Sequence, residues 1–255
     1  LPSRSFASPS PEQAESSALS VYLLGQVNWD DCLALQRRLI FEAGDGPAAG
    51  PVALVCEHPA LVTIGRGGSR GHLRLSDEQL AQRGLAVRWV ARGGGCLLHL
   101  PGQMAIYPII PLSAQRLSVG QFVAALQTAI LDCLTELRFA VAPRPGSAGL
   151  WGRTGQVAAL GVAVRQGVTY HGAFLNVSPE LRLFRHVQAN PRDPSAMSSL
   201  LAERGRPPRM TSLRADLVPR LASAFGCARY HIHTGHPLLK SLTSATRGTA
   251  AHRGS

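Results

Sequence analysis

Lysine is nearly missing from this sequence: Lys240 is the only one, so the 26 cationic side chains are otherwise arginine. Acidic residues are also few, 15 in all, and the formal net charge is +11. The excess sits mainly between residues 181 and 255, which hold twelve Arg/Lys and three Asp/Glu. A basic face attracts nucleic acid or an acidic carrier protein through long-range, salt-sensitive forces. A solvated basic surface with no specific partner accounts for the same composition. No run reaches about 18 consecutive apolar residues, which excludes a membrane-spanning helix. No C-x-x-C pair occurs, and the five cysteines, Cys32, Cys56, Cys96, Cys133 and Cys227, are odd in number and widely spaced. That pattern argues against a disulfide framework and against a structural zinc site. It suits a reducing cytoplasm. The N-terminal stretch has no apolar h-region, so it does not read as a secretory signal, and Glu12 and Glu15 count against a transit peptide.

The apolar fraction, 45%, is that of a globular protein with a real core. Residues 1–18, rich in Ser, Pro and Ala, read as a disordered lead-in, 19–230 as one domain and 231–255 as a disordered basic tail. Within the domain, 19–25, 52–56, 61–64 and 85–91 read as strands. A helix is expected from Trp29 to Glu42, capped by Asn28. Ser76 with Gln79, and Ser118 with Gln121, form capping boxes, the second opening a helix whose apolar face runs Phe122, Leu126, Ile130, Cys133, Leu134 and Leu137. Residues 156–164 and 168–177 read as a hairpin around Gln166-Gly167. Helices are expected over 195–203 and 211–226, with Pro219 kinking or restarting the second. Hairpin-spaced strands beside helices point to α+β or mixed α/β, not to a regular βαβ array. Cys32 and Cys133 fall in apolar helical patterns as small core residues.

Three segments carry a chemical signal. Glu57-His58-Pro59 leads through a strand into Gly65-Arg66-Gly67-Gly68, placing an arginine on a flexible loop. Arg92-Gly93-Gly94-Gly95-Cys96 runs on through His99, Pro101, Gly102 and Gln103 to Tyr107-Pro108. Three glycines after a strand let backbone N–H groups approach a carbonyl, a phosphate or an extended chain. Arg92 can pair with an anion, and His99 can order the loop or shuttle a proton. A glycine-lined tight turn explains the same run. The spacing fits neither the dinucleotide fingerprint nor the P-loop. The third segment, Gly155 to Val162 and then Thr169 to Val177, is rich in small residues: Ala159, Leu160 and Gly161 on one strand, His171, Gly172, Ala173 and Phe174 on the next. They leave an apolar slot for an acyl chain, or they let a helix pack close.

Taken together, over roughly residues 20–226, these segments resemble the lipoyl(octanoyl) transferases. The family's E-H-P-x-x-x-T-x-G-R stretch is matched from Glu57 to Arg66. Its R-G-G-x-x-T-[YW]-H-G-P-G-Q-L…Y-P run is matched by Arg92, Gly93, Gly94, His99, Pro101, Gly102, Gln103, Tyr107 and Pro108. Its third motif is matched from Val157 to Val162 and by His171, Gly172, Leu175 and Asn176. The resemblance implies a fold like the biotin and lipoate protein ligases, a mixed sheet flanked by helices. It implies transfer of an octanoyl group from acyl carrier protein to a lysine of a lipoyl domain, such as those of 2-oxoacid dehydrogenases or the glycine cleavage proteins. It implies no ATP, cofactor, metal, nucleic acid or membrane. It implies substrate contacts from Arg66, Arg92 to Gly95, His99, Ala159 to Gly161 and His171 to Phe174. In the family a cysteine takes the acyl group as a thioester, and a nearby lysine favours its thiolate.

The sequence departs from that pattern at its centre. Gln156 stands where the family has its lysine, and Arg192, in Pro191-Arg192-Asp193, where it has its cysteine. Leu97-Leu98 replace Thr-Tyr/Trp, and Leu100 replaces a glycine. An arginine stays protonated and is no nucleophile. Three readings follow: an octanoyltransferase with a displaced nucleophile, for which Cys96 is the candidate unless it is a small buried residue; a non-catalytic relative that binds an acyl chain or a lipoyl domain; and a basic nucleic-acid-binding protein, which no recognised motif supports. If Cys96 lies in a strand, it faces away from His99.

Overall fold

The computed structural model describes residues 18–44, 50–188 and 196–239. The elements, in chain order, are β1 (Ala18–Gln26), α1 (Trp29–Gly44), β2 (Val52–Glu57), β3 (Leu61–Ile64), α2 (Asp77–Gln82), β4 (Ala86–Trp89), β5 (Cys96–His99), β6 (Gln103–Ile109), α3 (Val119–Glu136), β7 (Gly149–Trp151), β8 (Gln156–Arg165), β9 (Val168–Asn176), α4 (Leu200–Arg204), α5 (Met210–Ala224) and β10 (Arg229–Thr234). Short 3-10 turns lie at Arg70–His72 and Leu181–His186. A seven-stranded sheet runs β10-β1-β2-β6-β9-β8-β7, and a three-stranded sheet runs β4-β3-β5. β1 is parallel to both β10 and β2, and the pairs from β2–β6 to β8–β7 are antiparallel. The mixed sheet with helices on its faces is the α+β arrangement expected.

Alternation along the central strands divides the core. Ala53, Val55, Met104, Ile106, Ala173 and Leu175 face one side and pack with Phe122, Leu126 and Ile130 of α3 and Leu213, Leu217 and Leu221 of α5. Leu54, Cys56, Ala105, Tyr107 and Phe174 face the other and pack with Trp29, Cys32, Leu35 and Ile40 of α1. Under the small sheet a third cluster gathers Val62, Ile64, Leu80, Leu85, Cys96 and Leu98. Both expected capping boxes form: Ser76 and Ser118 accept from the backbone N–H of Gln79 and Gln121, whose side chains reach back to the cap.

The structure corrects several expectations. β6 is missed in sequence because all of its residues are buried, so it shows no alternation of apolar and polar groups. β5, β7 and β10 are missed because they are short or exposed. The lead-in stops one residue earlier than expected, since Ala18 already pairs with Arg229. The range read as a tail contains part of β10, which aligns from Arg229 to Thr234 along β1, and residues 235–239 follow it. The edge of a parallel pair gains its bonds from backbone groups, so a polar, aperiodic segment serves. Pro219 neither ends nor restarts its helix, which continues from Met210 to Ala224. The helix expected over 195–203 is Leu200–Arg204, started by Ser199, whose side chain accepts from Ala202 N.

Candidate functional site

The glycine run and the small-residue hairpin meet. Gly93 N donates to Val162 O at 2.9 Å, tying the loop before β5 to β8. The loop after β3 closes on the same run: Gly65 N, Arg66 N and Gly67 N donate to Gly95 O, Arg92 O and Gly94 O, each at 3.0 Å. Side chains would prevent this approach. A Cβ on Gly161 would lie 2.7 Å from Gly93 O, and one on Gly65 2.5 Å from Gly94 O. Between these segments and the Arg144–Ala148 loop is a cleft of about 1290 Å³. Arg66, Arg92, Gly93, Gly94, Gly95, Ala159, Leu160 and Gly161 all line it, as does Gln156. Its wall mixes apolar side chains with arginine, which suits an extended acyl chain carrying a polar end.

Arg92 is the unusual charge here. It is buried, its Nη1 donates to Gly93 O at 3.0 Å, and its Nη2 donates to Thr63 O at 3.0 Å and to Thr63 Oγ1 at 2.7 Å. Its Nε has no hydrogen-bond partner and no carboxylate pairs with it among the described residues. Burial brings its pKa down to about 10, so the guanidinium still carries its charge at neutral pH. A cation held without a counter-ion beside a cleft favours an anionic or carbonyl-oxygen ligand.

The other expected contacts do not line the cleft. His99, His171 and Phe174 surround the Trp29 indole, with ring centroids 4.7, 6.0 and 6.2 Å from it. His58 joins the same group at 5.1 Å. Thr63 Oγ1, which accepts from Arg92, also lies 2.8 Å from His99 Nε2. The other ring nitrogen of His99, Nδ1, has no hydrogen-bond partner among the described residues. Burial holds His99 well below the usual histidine range, and His171 at about 3. Both are neutral. Gly172 and Ala173 are buried in β9, and Gly172 has a steric role: a Cβ there would collide with Ile106 O and stand 3.0 Å from the Pro108 ring. His171 takes the left-handed conformation, φ 55°, where β9 leaves β6, and Pro108 has no N–H to be paired there while its carbonyl accepts from Thr169 Oγ1 at 2.8 Å. Gln36 Oε1 accepts from His171 N at 2.8 Å. Trp29, Thr63 and Gln36 were missed in sequence because each is an unremarkable residue on a helix or strand until the chain folds.

Cys96 is set apart. It is fully buried in the cluster beneath the small sheet, on the opposite face of β5 from His99. Its Sγ donates to Ser69 O at 3.4 Å, and burial pushes its thiol pKa up. This corrects the displaced-nucleophile expectation: a protonated thiol turned from the cleft attacks nothing there. Gln156 does reach the cleft, but its Nε2 is held by Ala158 O at 3.1 Å and it has no charge to offer. Its backbone is fixed by bonds to Ala196 O (2.9 Å) and from Ser198 N (2.8 Å). Nearby, Thr154 hydrogen-bonds both Ser198 and Glu203. Arg192, with Pro191 and Asp193, lies outside the described residues, and the sequence from 187 to 199 contains no cysteine. Further back, Gln103 Nε2 donates to Asn176 Oδ1 at 2.7 Å, and Asn176 Nδ2 donates to Ser198 O at 2.8 Å, linking the turn before β6 to the segment before α4.

Comparison with known proteins agrees with this geometry. The lipoyl protein ligase A/B catalytic domain matches residues 28–222. The octanoyltransferase of Chloroflexus aurantiacus is 32% identical over 210 residues, covering 81% of this chain and 94% of the relative. That of a Roseiflexus species is 31% identical over 238 residues, covering 92% and 99%. Among solved structures, a bi-partite lipoate protein ligase from Thermoplasma acidophilum superposes with a TM-score of 0.69 at 14% identity, covering 91% of each chain, and so shares the fold. Fold, matched motifs and relatives agree: the chain belongs to the octanoyltransferase family, on the scaffold of the lipoyl protein ligase A/B catalytic domain.

Proposed function

We propose that this chain holds an octanoyl group in the cleft between the glycine run and β8, and passes it from acyl carrier protein to a lysine of a lipoyl domain in one displacement. The carrying observation is the cleft itself, which retains the family's Arg66, Arg92–Gly95 and Ala159–Gly161 while no thiol lines it. Without a nucleophilic cysteine, and with Gln156 in place of the lysine, no acyl-enzyme can form there. The acceptor lysine then attacks the carrier thioester directly. A C–N bond forms, the C–S bond breaks, and the carrier thiol leaves with the proton released by the amine. Arg92, its Nη donors held by Gly93 and Thr63, acts through its charge on the carbonyl oxygen as that gains negative charge, and exclusion of water by Leu97, Leu160 and Val162 strengthens that attraction. A cytoplasmic setting is part of this reading, and the five unpaired cysteines support a reducing compartment. Among the described residues no helix is long and apolar enough to cross a membrane.

The test combines the protein, octanoyl carrier protein and an unmodified lipoyl domain, followed by intact mass. The expected result is an octanoyl increment on the lipoyl domain, above the protein-free control, and none on this chain. An octanoyl adduct on the chain itself refutes the single displacement. The loss of both family residues also favours a second reading, a binder without catalysis. Its signature is no transfer, with octanoate or lipoyl-domain binding retained.

A further inference from the structure

Behind the cleft, on the α1 side of the large sheet, three soft donors converge. Cys32 Sγ, Cys56 Sγ and a His58 ring nitrogen all lie within 4.8 Å of one another, and all three residues are buried. Cys56 is near the end of β2 and His58 two residues on, so strand alternation sends both side chains to the face that α1 covers with Cys32. Val27 O takes a hydrogen bond from His58 Nδ1 at 2.8 Å. That bond fixes the tautomer and leaves the Nε2 lone pair directed inward, the orientation a metal-ligating histidine usually receives from a backbone carbonyl. His58 Nε2 stands 3.6 Å from Cys56 Sγ. Bond lengths of about 2.3 Å to sulfur and about 2.0 Å to nitrogen in a tetrahedral zinc site imply a sulfur–nitrogen edge of about 3.6 Å. In the metal-free protein that lone pair accepts a hydrogen bond from the Tyr107 hydroxyl at 2.7 Å, which metal binding would replace, leaving Tyr107 Oη near a fourth position.

We propose that Cys32, Cys56 and His58, with Tyr107 beside them, form a structural site for a thiophilic divalent cation, zinc in the first place. The charge decides the class. Two thiolates neutralise a divalent ion, whereas a monovalent ion would leave a net negative charge in an apolar core. Binding exchanges the metal for the two thiol protons, which are released to solvent, while the imidazole is neutral beforehand, its pKa lowered by burial to about 4. The ion would pin α1 to β2 beneath the Trp29 group. It stands apart from the cleft, none of whose lining residues belongs to it.

The experiment uses the reduced, metal-free protein under anaerobic conditions. Cobalt(II) is added both to folded protein and during refolding from denaturant, since the site is closed. One cobalt per chain is expected, with sulfur-to-cobalt charge-transfer absorption and the strong visible bands of four-coordination, displaced by zinc. Cys32→Ser and Cys56→Ser each weaken the charge-transfer band and the double variant loses it; Cys96→Ser, Cys133→Ser and Cys227→Ser keep it. X-ray absorption of wild-type zinc protein needs no variant to fold, and two sulfur neighbours at about 2.3 Å are expected. Absence of the charge-transfer band by both routes, its persistence in the Cys32/Cys56 double variant, or a zinc shell of nitrogen and oxygen alone overturns the site.

Discussion

Gly161 and Gly120 differ only in what surrounds them. A Cβ on Gly161 meets a backbone oxygen, which cannot swing aside, while one on Gly120 in the first turn of α3 meets nothing within 4 Å. Gly161→Ala is therefore expected to cost about 1–3 kcal/mol, and to weaken octanoate binding by forcing β8 from the glycine run. Gly120→Ala is expected to stabilise by about 0.4–1 kcal/mol. Urea melts and calorimetric titration with octanoate separate the two; equal effects would show that the close approach is irrelevant. The buried histidines set a pH dependence. In the unfolded chain His171 takes up a proton near pH 6.5, in the folded one only near 3, and His99 shifts in the same direction. Between those values the unfolded state binds more protons, so stability is full above about pH 6.5 and falls as the pH drops. Each such histidine contributes about 1.4 kcal/mol per pH unit in that window. His171→Asn tolerates the left-handed backbone and removes the titration. Its urea midpoint should fall less steeply from pH 6.5 to 5 than that of the wild type; the same slope would refute the assignment.

At the scale of elements, the two sheet edges are finished differently. β7 closes one with three buried residues, whereas β10 covers β1 with six exposed ones. What β10 supplies is its backbone, together with His233, whose ring stacks on Tyr22 at 4.8 Å; His236 follows at 4.4 Å. Truncation after Cys227 is expected to lower Tm and to promote association through the uncovered β1 edge. Truncation after Leu239, which spares the strand, is the comparison, and equal Tm values would show that β10 contributes nothing. The Ser118 capping box is a smaller and cleaner case. Ser118→Ala should destabilise by about 1 kcal/mol, read as a lowered urea midpoint.

Across the whole molecule, the excess of positive charge suits partners of the opposite sign. If acidic carrier domains are drawn to it, raising salt from about 0.05 to 0.5 M shortens the reach of the field from above 10 Å to about 4 Å. The expected consequence is a higher KM for the carrier protein with little change in kcat. A KM indifferent to salt would mean the basic residues play no part in recognition. Cleft and charge act on different quantities, one on the acyl chain and the other on its carrier, so the two dependences should separate in the binding of an uncharged octanoyl amide, which salt is expected to leave nearly unaltered.

Local sequence was enough for whatever depends on neighbours along the chain. It determined the capped starts of α2 and α3, the β8–β9 hairpin at Gln166-Gly167, and the motifs that hold Arg66, Arg92 and the glycines. It also raised the expectation that Gln156 and Arg192 stand where the family has its lysine and cysteine. Only the tertiary structure decided which side of a strand a residue serves. Cys96 and His99 are three apart, yet the pleat sends them to opposite faces of β5. His99, His171 and Phe174 read like cleft residues but stand around Trp29, because their side chains turn toward α1 and not into the cleft. Cys32 and Cys56, too far apart in sequence to suggest a metal, come together because α1 lies across β2. Contacts of that kind depend on how whole elements pack, and no short window of sequence encodes them.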